Sequence, residues 1–386
     1  MAERNEKTKK RERKKLDPLG IVLRVLLVLA AVLFCVLAVI SWPSIRDNGF
    51  YATFFGGSEE GEVVRAKELD FVANQKNVFA AYRDGLAVLS PSGLTVIGPD
   101  GEAVLDTSKS FGNPALAVDG DRLLAYDAGG SNMLYIEKEK LISDAPSTLG
   151  IITASINSDG WRLIIGEQSG WKAVASVLRP NGEEAYTMQS AERYLTSGDI
   201  APDSMRIALG GVRQSNAQII SSVYIYDLSS DEPIAFWETT DGVPTSVRFL
   251  DDARILVICE KAAVFIDGDT GEELGRCAFG SGALAAAAVG KGYVALAITA
   301  EGSDAWVVTL SYAGDELARR ALGGVLDLSA EGEFLGVLTS DSVLVYNNYL
   351  ESVADGDATA GCRRILLADD RAAYVLSANS AMLYEY

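Results

Sequence analysis

The chain has 386 residues, of which 48% are hydrophobic, and it contains 37 glycines and 10 prolines with a formal net charge of −19. That much apolar side chain supports a sizeable core and excludes wholesale disorder. Histidine is absent. This removes Ser-His-Asp triads, His-activated cysteines and histidine-ligated zinc hydrolases, and does not exclude carboxylate or metal–carboxylate chemistry.

The charge is unevenly placed. Residues 1–17 carry eight basic side chains (Arg4, Lys7, Lys9, Lys10, Arg11, Arg13, Lys14, Lys15) against four acidic ones, and the chain from Val25 onward carries −24. Such a field repels polyanions, so no nucleic-acid partner is expected. It suits basic proteins or metal ions, although solubility alone explains most acidic surfaces. The four cysteines (Cys35, Cys259, Cys277, Cys362) show no metal-ligand spacing and no disulfide framework, and the last three read as buried free thiols.

Residues 1–18 form a basic tail. From Val25 to Ile40 every residue is apolar, and residues 19–42 make a stretch of 24 positions. At ~1.5 Å per residue this spans roughly 36 Å, enough to cross a hydrocarbon core of about 30 Å. Arg24 sits near one end, where its stem can snorkel to the headgroups, and Trp42 sits at the opposite interface. A cleaved signal peptide would want small residues before the cut, and only Val36-Leu37-Ala38 offers a weak site. A lipoprotein would want small residues before Cys35, but Val32-Leu33-Phe34 stand there. The segment therefore reads as an uncleaved transmembrane helix. The positive-inside rule puts the N-terminus in the cytoplasm and the C-terminal domain outside the cell membrane. Residues 43–61 read as a linker. Its Phe50, Tyr51, Phe54 and Phe55 suit either the membrane interface or the domain above it.

Residues 62–386 read as strand after strand. An acidic or Gly-containing turn repeatedly leads into an apolar run: Asp119-Gly120-Asp121 before RLLAY, Asp159-Gly160 before WRLII, Asp251-Asp252-Ala253 before RILVI, Glu331-Gly332 before EFLGVL. Asp and Gly suit such turns because they tolerate φ > 0 and can bond their own backbone. A second turn follows about 20 residues later, as in Pro99-Asp100-Gly101-Glu102, Pro180-Asn181-Gly182-Glu183 and Asp269-Thr270-Gly271-Glu272. Strands opening each unit are predicted near Val78, Pro114, Ile151, Leu195, Val243, Leu284, Val325 and Cys362. The spacing averages about 40 residues, the period of a four-stranded propeller blade.

The expected fold is thus all-β, a β-propeller of about eight four-stranded blades preceded by one transmembrane helix. After Cys362 there is room for only three strands, so Glu62 to Val72 is predicted to supply the fourth and close the ring. Seven blades is the alternative, because the first and last units are the least clear.

The stretch Phe265 to Leu274 (FIDGDTGEEL) resembles the repeat of pyrroloquinoline-quinone-type propellers, but Gly275 stands where that family has its docking Trp. Tyr226-Asp227-Leu228-Ser229-Ser230-Asp231-Glu232-Pro233 resembles the strand-turn-strand of WD40-like blades, and Ala201-Pro202-Asp203-Ser204 resembles their first turn. In layout, including Asn113-Pro114 and Tyr126-Asp127-Ala128-Gly129-Gly130, the chain is similar to membrane-anchored propeller proteins of Gram-positive bacteria without an assigned function. These motifs are turn chemistry and imply no activity. The missing docking Trp residues argue against quinone, and no cofactor is expected.

No catalytic residue set is read. Asp267, Asp269 and Glu273 share the start of a calcium loop without its full pattern, so they are weak metal candidates and a plain turn is the first reading. Trp161, Trp171, Trp237 and Trp306 read as packing between blades. Asp251-Asp252 and Asp369-Asp370 read as solvated turns. The function expected is a non-catalytic, membrane-anchored scaffold whose loops bind a protein or cell-envelope partner. The alternative is a small-ligand or metal receptor, or a carboxylate-based enzyme, using the central channel.

Overall fold

Second and third strands of the repeat are nearly uninterrupted apolar runs. Arg162–Glu167, Arg254–Ile258 and Tyr293–Thr299 are buried along almost their whole length. Opening and closing strands alternate instead, as in Ala283–Gly290 and Pro233–Thr239. A small sheet with two greasy middle strands must be covered on both faces, and identical neighbours do that.

The computed structural model describes residues 61–215, 218–299, 304–369 and 372–386. They form eight antiparallel sheets. Seven begin with the inner strands Val78–Tyr82, Pro114–Asp119, Gly150–Ile156, Tyr194–Ile200, Ser246–Phe249, Ala283–Gly290 and Asp327–Glu331, and the chain then steps outward through three more strands. The eighth begins with Arg364–Asp369, continues through Ala372–Leu376 and Ala381–Glu385, and is completed by Val64–Leu69 from the other end of the described chain. Arg65 pairs with Tyr384 and Glu68 with Met382 in that antiparallel closure. The fold is therefore an eight-bladed propeller whose last blade is composite. The basic tail (1–18), the apolar stretch with Arg24 and Trp42, the linker with its aromatics and Cys35 lie outside the described residues. Among those described, no helix is long and apolar enough to cross a membrane.

The core is a ring of eight clusters, one between each pair of adjacent blades. Ile225 and Trp237 of blade 4 pack with Val257 and Val264 of blade 5. The cluster that closes the circle joins Tyr374, Leu376 and Ala381 of blade 8 to Phe79, Leu86 and Val88 of blade 1. Cys259, Cys277 and Cys362 are buried free thiols in these seams, and burial pushes the Cys259 thiol up to about 12.

Two features differ from expectation. Gly61–Glu62 adds a fifth strand, parallel to Ser352–Asp357, on the outside of blade 7. The inner strand of blade 5 begins at Ser246 rather than Val243, because Pro244 has no N–H to donate to a ladder.

Candidate functional site

Inner strands leave one backbone edge towards the axis, and unpaired amides there need partners. Neighbouring blades supply them. Val247 N–H donates to Ser197 Oγ (3.0 Å) and Phe249 N–H to Asp199 Oδ2 (2.9 Å), so blade 4 braces blade 5. Blade 7 braces blade 8 in the same way, with Ile365 N–H donating to Asp327 Oδ2 (3.1 Å) and Leu367 N–H to Ser329 Oγ (2.9 Å). Residues two apart on a strand share a face, which is why each brace is a pair spaced i, i+2.

The brace between blades 4 and 5 borders a cavity of about 690 Å³ lined by inner strands and adjoining turns of blades 2 to 5 together with Val289, Gly290 and Tyr312 of blade 6. Its charged walls are Asp119, Asp199 and Arg248, with Ser155, Asn157, Ser158 and Ser246 as neutral polar groups and Leu116, Val118, Ile156 and Ile200 as apolar ones. Burial pushes the Asp199 carboxyl up to about 6, against the opposing pull of the Arg248 charge and the Phe249 amide. Burial raises Asp119 too, again opposed by Arg248. Arg248 itself projects into open space and makes no hydrogen bond or ion pair among the described residues. Asp119 also lines a second cavity of about 540 Å³ with Arg83, Asp84, Asp121 and Glu331. The first cavity is therefore polar, and its cation Arg248 is unpaired among the described residues.

A protein-family profile described as a family of unknown function (DUF5711) matches residues 61–382. The chain belongs to that family. No curated protein matches it by sequence. Among solved structures, BamB from Moraxella catarrhalis is similar, with a TM-score of 0.56 and 13% identity over 84% of this chain and 100% of that one. The C-terminal WD40 domain of Sif2 aligns with a TM-score of 0.61 and 13% identity over 84% and 99% of the two chains. Sqt1 of Saccharomyces cerevisiae gives 0.61 with 9% identity over 84% and 99%. At such identities the likeness is one of fold, a WD40- and quinone-type propeller ring.

The weak metal candidates are not gathered into one site. Asp267 Oδ1 accepts the Asp269 and Thr270 amides (3.0 and 2.8 Å) and the Thr270 hydroxyl (2.9 Å). Burial opposes its ionisation, but those bonds outweigh it and hold the carboxyl below its usual range. Asp269 pairs with Arg206 of blade 4. Glu273 takes Nε and Nη2 of Arg276 (2.5 and 2.6 Å), which lowers its pKa. Among the described residues no group of three or more Asp, Glu, Cys or His is placed to hold a metal ion.

Asp251 likewise holds Arg254 and the Ala253 amide, and Asp252 accepts the Asp203 amide across the blade 4–5 seam. Asp370 and the side chain of Asp369 lie outside the described residues. In the Tyr126–Gly130 stretch, Asp127 accepts the Asn113 amide (2.6 Å), while Gly129 N–H donates to Ile151 O, so the loop stitches blade 2 to blade 3. The place of the docking Trp is filled by the next blade: a Cβ on Gly275 would stand 2.4 Å from Ala313 O.

Trp237 and Trp161 pack as expected between blades. Trp171 and Trp306 do not, and each is 40% exposed. Trp171 belongs to an aromatic band along the rim of blades 3 and 4. Lys172 lies over the Tyr194 ring (5.1 Å), Arg193 over Tyr224 (3.9 Å), and Tyr224 stacks on Phe236 (5.7 Å). Tyr194 is 56%, Phe236 58% and Ile219 66% exposed. Strands Arg206–Ser215 and Gln218–Asp227 are ten residues each, longer than any others described, and they carry Ile219 outward.

Proposed function

We propose that this protein is a membrane-anchored scaffold of a Gram-positive cell, with its propeller held outside by the N-terminal helix and docking a protein or cell-envelope partner without catalysis. The single observation that carries the docking reading is the aromatic band on blades 3 and 4. Trp171, Tyr194, Tyr224 and Phe236, with Arg193 and Lys172 lying on the rings, make a surface of the composition that protein interfaces favour. The anchor reading rests on the apolar stretch 19–42, with Arg24 and Trp42 as its interfacial residues and eight basic side chains before it.

Protease added to intact cells is expected to digest the C-terminal portion, and its full protection would reverse the topology. Crosslinking in intact cells through a photoreactive group at position 236 is expected to capture one stoichiometric envelope protein. Loss of that product in a Tyr194→Asp variant that still folds is the matching control. Capture that persists in the variant would remove the band from the interface.

The polar cavity supports a second reading, that the ring also receives a small ligand. Arg248, unpaired among the described residues beside two carboxylates, is the observation that favours it.

A further inference from the structure

We infer that the axial cavity binds a small zwitterion of the amino-acid class, its carboxylate on Arg248 and its ammonium between Asp119 and Asp199. This inference rests on the receptor reading of the cavity and names its ligand.

Charge layout comes first. Arg248 acts through space on both Asp119 and Asp199, yet forms no ion pair with either. The guanidinium is thus held near acids that it does not neutralise. A ligand carboxylate can occupy its fork-shaped donor set in the two-point geometry that guanidinium favours. The carboxylates have complementary capacity. Asp199 Oδ2 accepts the Phe249 amide, with Ser155 and the Ile200 amide also stabilising its carboxylate, and Asp119 accepts from the Ser158 backbone. Of about four lone-pair directions on each carboxylate, at least one on Asp199 and more on Asp119 remain for an ammonium.

Size and lining come next. A volume of about 690 Å³ lies within the range of small-molecule sites, roughly 300–1,000 Å³. Val118, Ile156 and Ile200 on the same wall give the ligand's side chain an apolar face. A plain anion would leave the two acids without a cation, and a plain amine would leave Arg248 unpaired. Only a molecule carrying both charges satisfies all three groups.

Burial of these acids without a full partner supports the argument. It raises both carboxyls, a pattern that clusters at functional sites.

The test is calorimetry and thermal unfolding of the purified full-length chain against each of the twenty protein amino acids. For any that binds, the same molecule lacking its amino group and the same molecule lacking its carboxylate follow as half-ligands. At least one amino acid is expected to raise the unfolding midpoint and to bind, while both half-ligands bind about ten- to a hundredfold more weakly. Arg248→Gln is expected to weaken binding by a similar factor and to lower the ligand-free midpoint only slightly, because Arg248 makes no ion pair although its charge favours the ionised forms of Asp119 and Asp199. Arg248→Lys, which keeps the charge, is expected to retain binding within about tenfold. A des-amino acid that binds as tightly as its parent would overturn the zwitterion assignment and leave the receptor reading standing. No binding by any of the twenty amino acids would overturn both.

Discussion

Blades 4 and 8 are built from the same four-stranded plan and use it in opposite ways. Blade 4 is one continuous stretch, Tyr194 to Thr239, whose two middle strands run to ten residues and carry exposed Ile219 beyond the ring. Blade 8 takes three strands from residues 364–385 and its fourth from Val64–Leu69, and nothing protrudes. One blade puts its residues into recognition, the other into closure. A ring of eight small seams is stable only if every seam exists, so the closing blade is where the fold is most vulnerable. Blade 4 can vary its outer surface because its inner surface is anchored on both sides.

That contrast is broken most severely at the C-terminus. Deleting Ala381 to Tyr386 removes buried Ala381 and Tyr384, leaves Val64–Leu69 without its partner strand and strips one edge of Ala372–Leu376. Loss of cooperative thermal unfolding is expected by calorimetry, whereas an undiminished midpoint would show that the ring does not depend on its last blade. A milder version is Leu376→Ala in the seam between blades 8 and 1, which should cost about 3 kcal/mol in chemical denaturation.

A smaller effect is expected at the axis. The folded carboxyl of Asp199 titrates near 6, above the unfolded value of about 4. The folded state therefore holds the proton more tightly, and this group's contribution to stability is present below about pH 4 and lost as pH rises through 6. Asp199→Asn keeps an acceptor for Phe249 N–H and removes the titration. It should be more stable than the parent at pH 7.5 by on the order of 2–3 kcal/mol and nearly equal at pH 4; an unchanged slope of stability with pH would refute this. Asp119 and Asp327 are raised by burial in the same sense and remain as background. The smallest effect belongs to blade 4's rim, where Phe236→Asp should move stability by only about 0.5 kcal/mol while abolishing any crosslink to a partner through a photoreactive group placed at position 194.

The blade frame was legible because turn chemistry is local. Asn113-Pro114 and the Asp-Gly turns mark where strands begin, and the inner strands of blades 1 and 2 start at Val78 and Pro114 as read. Closure by the N-terminal strand was legible as a missing element in the last unit. Gly61–Glu62 was not, since a two-residue parallel pairing has no periodicity to detect. Nor was the cavity. Asp119, Asp199 and Arg248 lie on three blades, and only ring closure brings them to one wall. Each does sit on an inner strand whose alternation sends polar residues to the axis, so a scan for charged residues on opening strands would have found them. Trp306 was misread because an aromatic within a strand has the same pattern whether its face meets a neighbour or solvent, and Trp171 because it lies in the bend before Ala173–Leu178 rather than in the strand itself.

The closed ring is tested most directly by a disulfide across the seam between the chain's two ends. Lys67 pairs with Leu383, and the native cysteines described are buried. In the double variant Lys67→Cys, Leu383→Cys, oxidation followed by a proteolytic nick between the two positions should yield fragments that stay joined until reductant is added. Fragments that separate without reductant, or cysteines that pair only between molecules, would contradict the composite eighth blade.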